Sequence, residues 1–208
     1  MIAGTDRSVT IDEVARQSFH SAQLPDDMES GFTERSNYGP ADAATFPSGA
    51  HVCEVEIDID TSEVALSRYC AVDDVGHMLN PLLCEGQIHG GVVQGLGQIL
   101  MEQVVYDPGS GQLLTASFMD YCMPRADNVC CMRIVSNPVP TEGNPLGAKG
   151  AGEAGCVGAM PAVMNAIMHA LEPLGVYELD MPATSDRVWQ AIRAARKPSP
   201  PQGAERTG

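Results

Sequence analysis

The stretch "GAKGAGEAG", residues 147–155, sets Gly150, Gly152 and Gly155 in the order G-x-G-x-x-G. Fed by a buried strand and followed by a helix, that pattern would define a doubly wound dinucleotide-binding fold. The residues upstream argue against it: "VPTEGNPLGAK" holds two prolines and no β-branched run. Glu153 would also set a carboxylate inside the phosphate-binding turn, where it would repel a pyrophosphate. A P-loop fails as well, because Lys149 is followed by Gly150 rather than by Ser or Thr. The fold must therefore be read from the segments on either side.

Upstream, Cys53, Val55, Ile57 and Ile59 alternate with Glu54, Glu56, Asp58 and Asp60. One apolar and one acidic face at period two predict a strand. The turn "DTSE" then leads into "VALSRYCAV" as the second strand of an antiparallel hairpin. Residues 84–105 change period: Ile88, Val92, Leu96, Ile99 and Val104 fall near helical spacing. Residues 112–122 and 129–136 read as further strands. Pro161, Val163, Ile167, Ala170 and Leu171 mark a helix stopped at "EPLG", "VYELDM" reads as a short strand, and "SDRVWQAIRAA" as a last helix capped by Ser185. At the other end, residues 8–17 read as a short helix with Thr10 as its cap and Glu13 three positions on. Residues 20–50 lack periodicity, as expected of a segment that lies across something else. The tail, residues 197–208, has the composition of a disordered end. Irregular alternation with an antiparallel hairpin gives an α+β class, with mixed sheets and packed helices in residues 1–196.

The chain has 12 Lys plus Arg against 27 Asp plus Glu, a formal charge of −15. A surface so acidic repels phosphate backbones, which argues against a nucleic-acid partner and for solubility. "MIAGTDRSVT" has neither the basic nor the apolar region of a secretory signal, and no membrane span is expected. The cysteines, at 53, 70, 84, 122, 130, 131 and 156, form no C-x-x-C pair. They read as buried or half-buried thiols of a cytoplasmic protein. The five histidines are too scattered to suggest a metal cluster.

The segment "GQIHGGVVQGLGQIL" carries glycines at 86, 90, 91, 95 and 97. Each costs about 1 kcal/mol relative to Ala inside a helix. A close approach by another backbone, or by a flat ligand, is what would offset that cost. Gln87, Gly91, Gln94 and Gln98 share one helical stripe, offering amide donors and acceptors with little bulk between them. Tight packing on a neighbouring helix explains the glycines equally well. Glu153 likewise has two readings. It is a general base in a loop bare enough for a ligand to come close, or it is the partner of Lys149 in a surface ion pair. An apolar setting would disfavour its anion, and a helix N-terminus just beyond would favour it.

"NPLLCEGQIHGGVVQGLGQILMEQVVYD", "TASFMDYCMPRAD" and "NPLGAKGAGEAG", in this order and spacing, resemble the xanthine dehydrogenase/aldehyde oxidase family. The similarity is to the C-terminal part of its molybdenum-binding large subunit, of the bacterial carbon-monoxide or aldehyde dehydrogenase type. It runs from about Thr5 to about Arg196. The resemblance implies the C-terminal portion of a larger molybdopterin-binding domain, in an enzyme that oxidises an aldehyde, an N-heterocycle or carbon monoxide with water-derived oxygen. It implies Glu153 as the base beside the molybdenum. Gln87 would hydrogen-bond the pterin, Lys149, Gly150, Ala151 and Gly152 would line it with backbone groups, and Gln94 would lie on the same stripe. It also implies a molybdenum–molybdopterin cofactor in the cytosine dinucleotide form, with iron–sulfur and flavin (FAD) partner subunits. In that family several hundred residues precede this region. Their absence from the sequence implies a separately encoded or shortened piece, inactive alone, whose partner is the missing N-terminal portion. A non-catalytic remnant that keeps the fold is the alternative.

Overall fold

The computed structural model describes residues 4–20, 22, 24–33, 35–37, 39 and 44–196. The expected disordered tail lies outside the described residues. The chain divides into two compact units, residues 1–40 and 41–208.

In the first unit, helix α1 spans Ile11–Ser18, and the Thr10 hydroxyl accepts the Glu13 N–H at 3.3 Å. This is the expected cap, with the helix starting directly after it and ending one residue later than read. Its C-terminal end is closed by the following chain, since the Ser18 carbonyl accepts from Gly31 N–H at 2.8 Å and from the Ser30 hydroxyl at 3.2 Å.

The second unit holds a three-stranded sheet. Strand β1 (Ser48–Ile57) pairs antiparallel with β2 (Val64–Asp74), and β2 pairs parallel with β3 (Met132–Ser136). The predicted hairpin is present. Its inner face is the alternation seen in the sequence: Cys53, Val55 and Ile57 pack on the core while Glu54 and Glu56 face water. The strand starts five residues earlier than the alternation suggested and stops before Ile59, which is 57% exposed. A bulge between Glu54 and Val55 shifts the register along the pair.

Helix α2 (Pro81–Leu100) starts on the Asn80 cap and buries Ile88, Val92, Leu96 and Ile99. Val104 lies beyond its end and is exposed. Helix α3 (Ala154–Leu171) buries Gly155, Ala159, Val163, Ile167 and Leu171 at four-residue spacing. It begins well before Pro161, which sits inside it and leaves one carbonyl without a helical donor. Over Ala154–Leu174 the chain is long and apolar enough to cross a membrane, which corrects the reading that no stretch is. That stripe is instead the centre of the core, against α2, β1 and β2. Helix α4 (Ser185–Ala195) is capped by Thr184 rather than Ser185, the Thr184 hydroxyl accepting the Arg187 N–H.

Two predicted strands do not form. Residues 112–122 give only an isolated bridge between Tyr106 and Leu113, because a turn closes on Ser117, whose carbonyl takes the Tyr121 N–H at 2.8 Å. Residues 176–181 sink Val176 into the core and run exposed through Tyr177 and Glu178, with Pro182 ending any ladder. The cysteines are all unpaired, and Cys122 and Cys131 are exposed rather than buried.

Three of the α2 glycines are explained by packing. A side chain at Gly91 would lie 2.9 Å from the Cys156 amide nitrogen, and one at Gly95 2.9 Å from the Ala159 methyl. At Gly97 it would lie 2.8 Å from Pro124 and against the Glu102 carboxylate. Reciprocally, one at Gly155 would strike the Ile88 carbonyl and come within 2.9 Å of the Val92 nitrogen. Through Gly91, Gly95 and Gly155 helices α2 and α3 meet at backbone distance, whereas Gly97 serves the chain beyond α2. Gly86 and Gly90 face open space.

Candidate functional site

The glycine-rich loop is anchored at the end of β2. Asp74 accepts from the Gly76 N–H at 2.9 Å, the Val139 N–H at 2.8 Å and the Lys149 ammonium at 2.5 Å. Lys149 N–H returns to the Val75 carbonyl at 2.9 Å, and Asn144 holds Ala148 by both its N–H and its carbonyl. Gly76 and Gly147 both take positive φ where the two chain segments cross, and a side chain at Gly76 would strike the Gly147 carbonyl. Lys149 is therefore committed to Asp74, and the ion pair with Glu153 considered from the sequence is not made. With its backbone N–H given to Val75 as well, the group Lys149 has left for a ligand is its backbone carbonyl. Its ammonium, and then the two backbone N–H groups, hold the Asp74 carboxyl down at about 2. A depressed carboxyl adds stability that is complete above its unfolded value of about 3.8 and lost as pH falls toward 2. Asp74→Asn should remove that acid-dependent part, so urea midpoints measured between pH 6 and pH 2 should fall less steeply in the variant.

Past this anchor the loop opens. Neither Gly150 nor Gly152 has anything within 4 Å of the place a side chain would occupy, and Ala151 between them is half-buried. The Gln87 side-chain amide donates to the Gly152 carbonyl at 3.3 Å, joining α2 to the loop and leaving its own oxygen as an acceptor. Gln94 is exposed two turns further along α2 and makes no hydrogen bond to the loop among the described residues. His89 bonds the Glu85 carbonyl one turn back at 2.9 Å, as a structural histidine would. No strand leads directly into Gly150, since β3 ends at Ser136, so the dinucleotide reading lacks its framework.

Glu153 is the residue from which α3 departs. Its side chain does not cap the helix, it is exposed, and it has no ion pair among the described residues. It lines a cleft of about 490 Å³, with Gly150, Gly152, Ala154, Val157 and Gly158 on the same side. The rest of its lining is Pro47, Ser48, Gly49, His51 and Asp73. His51 and Asp73 have side chains only 3% exposed, their contact is 3.2 Å, and the other His51 nitrogen lies 2.6 Å from the Tyr69 hydroxyl. Burial, then the nearby Cys53 and Asp73, push the Tyr69 phenol up, keeping it a donor. Sequence reading missed Asp74, His51, Asp73 and Tyr69. For His51 a signal exists: it is in phase with Cys53, Val55 and Ile57.

Residues 1–130 match the family described as "Molybdopterin cofactor-binding domain". The chain is 36% identical over 184 residues to the carbon monoxide dehydrogenase large chain of Hydrogenophaga pseudoflava, covering 88% of this chain and 22% of that one. It is 36% identical over 194 residues to the nicotine 6-hydroxylase large subunit of Paenarthrobacter nicotinovorans, covering 93% and 24%. The solved Cu,Mo-CO dehydrogenase superposes with a TM-score of 0.78 at 33% identity, over 90% of this chain and 23% of that one. The chain belongs to the xanthine dehydrogenase/aldehyde oxidase family. It corresponds to part of the molybdenum-binding large subunit and spans less than a quarter of the length of these relatives. As a member of that family it carries Gln87 and Gln94 inside the matched domain, while Lys149 to Glu153 lie beyond residue 130 in the stretch aligned with the full-length relatives.

The residues present suit a pterin. The bare surfaces at Gly86, Gly90, Gly150 and Gly152 leave room for a flat group, and a side chain at any of them would begin to fill that room. The Gln87 oxygen remains available to a ring N–H. These groups form one side of a site only.

Proposed function

We propose that this chain, residues 1–196, is the C-terminal portion of a molybdenum hydroxylase and supplies the base and part of the pterin cradle. The single observation that carries the reading is the placement of Glu153: an uncommitted carboxylate, beside open glycines, lining a cleft. When bound, the molybdenum–molybdopterin cofactor, in its cytosine dinucleotide form, supplies water-derived oxygen and accepts two electrons from the substrate carbon. The chain's own part is to bind and orient. Gln87 and the backbone of Lys149, Gly150, Ala151 and Gly152 hold the pterin, with Gln94 further along the same helix face. A Glu153 carboxylate oxygen takes the proton released as the new carbon–oxygen bond forms, and returns it to water afterwards. Iron–sulfur and flavin subunits carry the electrons away.

The rest of the cleft comes from the polypeptide that forms the remainder of the large subunit in relatives. Support lies in the outer face of α2, which over Pro81–Leu100 carries one acid and no Lys or Arg in a chain of charge −15. Leu82 and Leu83 on that face are 77% and 68% exposed. A face with so little charge and two exposed leucines is suited to being covered. The isolated chain should not turn over substrate. The substrate is an aldehyde, an N-heterocycle or carbon monoxide. Relatives named for carbon monoxide and for nicotine are equally identical to this chain, so identity does not choose among them.

The test is to tag the chain in its own host, isolate what accompanies it, and assay the complex for molybdenum and pterin. Both should be found with a larger partner. A metal-free monomer would overturn the reading in favour of a non-catalytic remnant.

A further inference from the structure

We infer that His51, braced by Asp73 and Tyr69, is a positioning residue that sets the first turn of α3 and, through it, Glu153. The inference rests on the reading of Glu153 as the base. Its structural content stands on separate contacts.

Two successive inward residues of β1 meet α3 at successive turns. The His51 ring occupies the place where a Gly158 side chain would begin, with Cγ, Nδ1 and Cε1 all against that position. Two residues on, the Cys53 thiol donates to the Ala162 carbonyl at 3.2 Å. Two strand residues advance about 6.8 Å and four helix residues about 6.0 Å, so one strand and one helix can stay in step over these two rungs. The second rung is a thiol contact to a carbonyl. The first is an imidazole pressed on bare backbone, and it lies one turn from Glu153.

The ring cannot swing away. The Asp73 carboxylate can only accept, so Nε2 carries the hydrogen toward it, and in the neutral ring the Tyr69 hydroxyl donates to Nδ1. The Tyr69 ring meets the imidazole edge-on, with centroids 5.7 Å apart. Asp73 has no ion-pair partner but His51 among the described residues, and its second oxygen is buried without a hydrogen bond. Its contact with His51 is thus charge-assisted and has no competitor. Gly49 is the necessary complement, since a side chain there would strike the Asp73 carboxylate. Because both ring nitrogens are engaged on the sheet side, His51 acts as a spacer in the cleft wall rather than as a second base.

Gly158 follows directly on the turn that Glu153 opens. The Val157 N–H donates to the Glu153 carbonyl at 3.0 Å, so the exchange rate of the Val157 amide reports whether Glu153 is held. In the full chain, His51→Ala should speed hydrogen exchange at Val157 and Gly158 by roughly tenfold or more, while Val163 to Leu171 keep their protection. Tyr69→Phe keeps the packing and removes one brace, and should give a smaller change at the same two amides. In the complex isolated with the partner polypeptide, Tyr69→Phe should lower kcat with KM unchanged, and Asp73→Asn, which still accepts from His51, should retain more turnover than Asp73→Ala. Unchanged exchange at Val157 and Gly158, or equal loosening along all of α3, would overturn the inference whatever the turnover. If the exchange result holds but Glu153→Gln keeps full turnover, the reading of Glu153 as base fails while the brace stands.

Discussion

Glu153→Gln in the complex with the partner polypeptide is expected to lose turnover by about 10²-fold or more, the usual effect of removing a general base. That factor corresponds to about 2.7 kcal/mol in the activation barrier. The substitution keeps the side chain's size and leaves an amide that cannot take the proton. Stability should fall by no more than about 1 kcal/mol, the scale of one charge at a helix N-terminus. The Glu153 carboxylate neither caps α3 nor forms an ion pair among the described residues, so no native contact is lost. Thermal unfolding and turnover measured on one preparation separate the two roles. Unchanged turnover would take Glu153 out of the mechanism. A fall in melting temperature matching the loss of activity would make it a structural residue. Glu153→Asp is informative beside it, because it keeps the acid but withdraws it by one methylene from the cleft. An intermediate rate is expected, since proton transfer depends on reach as well as on acidity.

The candidate site was legible in the sequence where composition departs from what a fold requires. Glu153 stands out because its neighbours have no side chains. Gln87 stands out because the glycines around it make a poor helix unless something lies close. What the sequence leaves undecided is which close approach each glycine serves. Gly91, Gly95 and Gly155 serve the contact of α2 with α3, whereas Gly86 and Gly90 face open space. That division depends on which side of the helix meets its partner, a tertiary fact. His51 was overlooked for a similar reason. Its place in β1 is fixed by the pairing of Ser48 to Ile57 with β2, and the acidic alternation that identifies the strand starts only after it. The strands expected at 112–122 and 176–181 failed because a strand needs a neighbour, and a local run of apolar residues does not say whether one exists. Asp74 illustrates the same limit. It is one of two adjacent acids at the end of β2, and only the fold shows that this one gathers Lys149, Gly76 and Val139 while Asp73 turns inward to His51.

The seam between α2 and α3 should be the most sensitive place in the unit. Gly155→Ala puts a methyl against the Ile88 carbonyl and within 2.9 Å of the Val92 nitrogen, both backbone atoms that no rotamer change can move aside. Overpacking of this kind costs about 1–3 kcal/mol. At roughly 2–4 °C per kcal/mol for a domain of this size, the melting temperature should drop by several degrees. Relief requires the helices to part, and that moves Glu153 relative to Gln87, stretching the 3.3 Å bond from Gln87 to the Gly152 carbonyl. Activity in the complex should therefore fall with stability. Gly86→Ala and Gly90→Ala are the matched controls. They meet no atom within 4 Å, and replacing glycine inside a helix should stabilise the isolated chain by about 0.5–1 kcal/mol each. If those same variants retain less pterin in the complex, the exposed glycines are kept bare for the cofactor at a cost to the helix. Pterin retention unchanged beside higher stability would mean that the open face of α2 is covered by protein alone, and the pterin cradle would then reduce to Gln87 and the loop from Lys149 to Gly152.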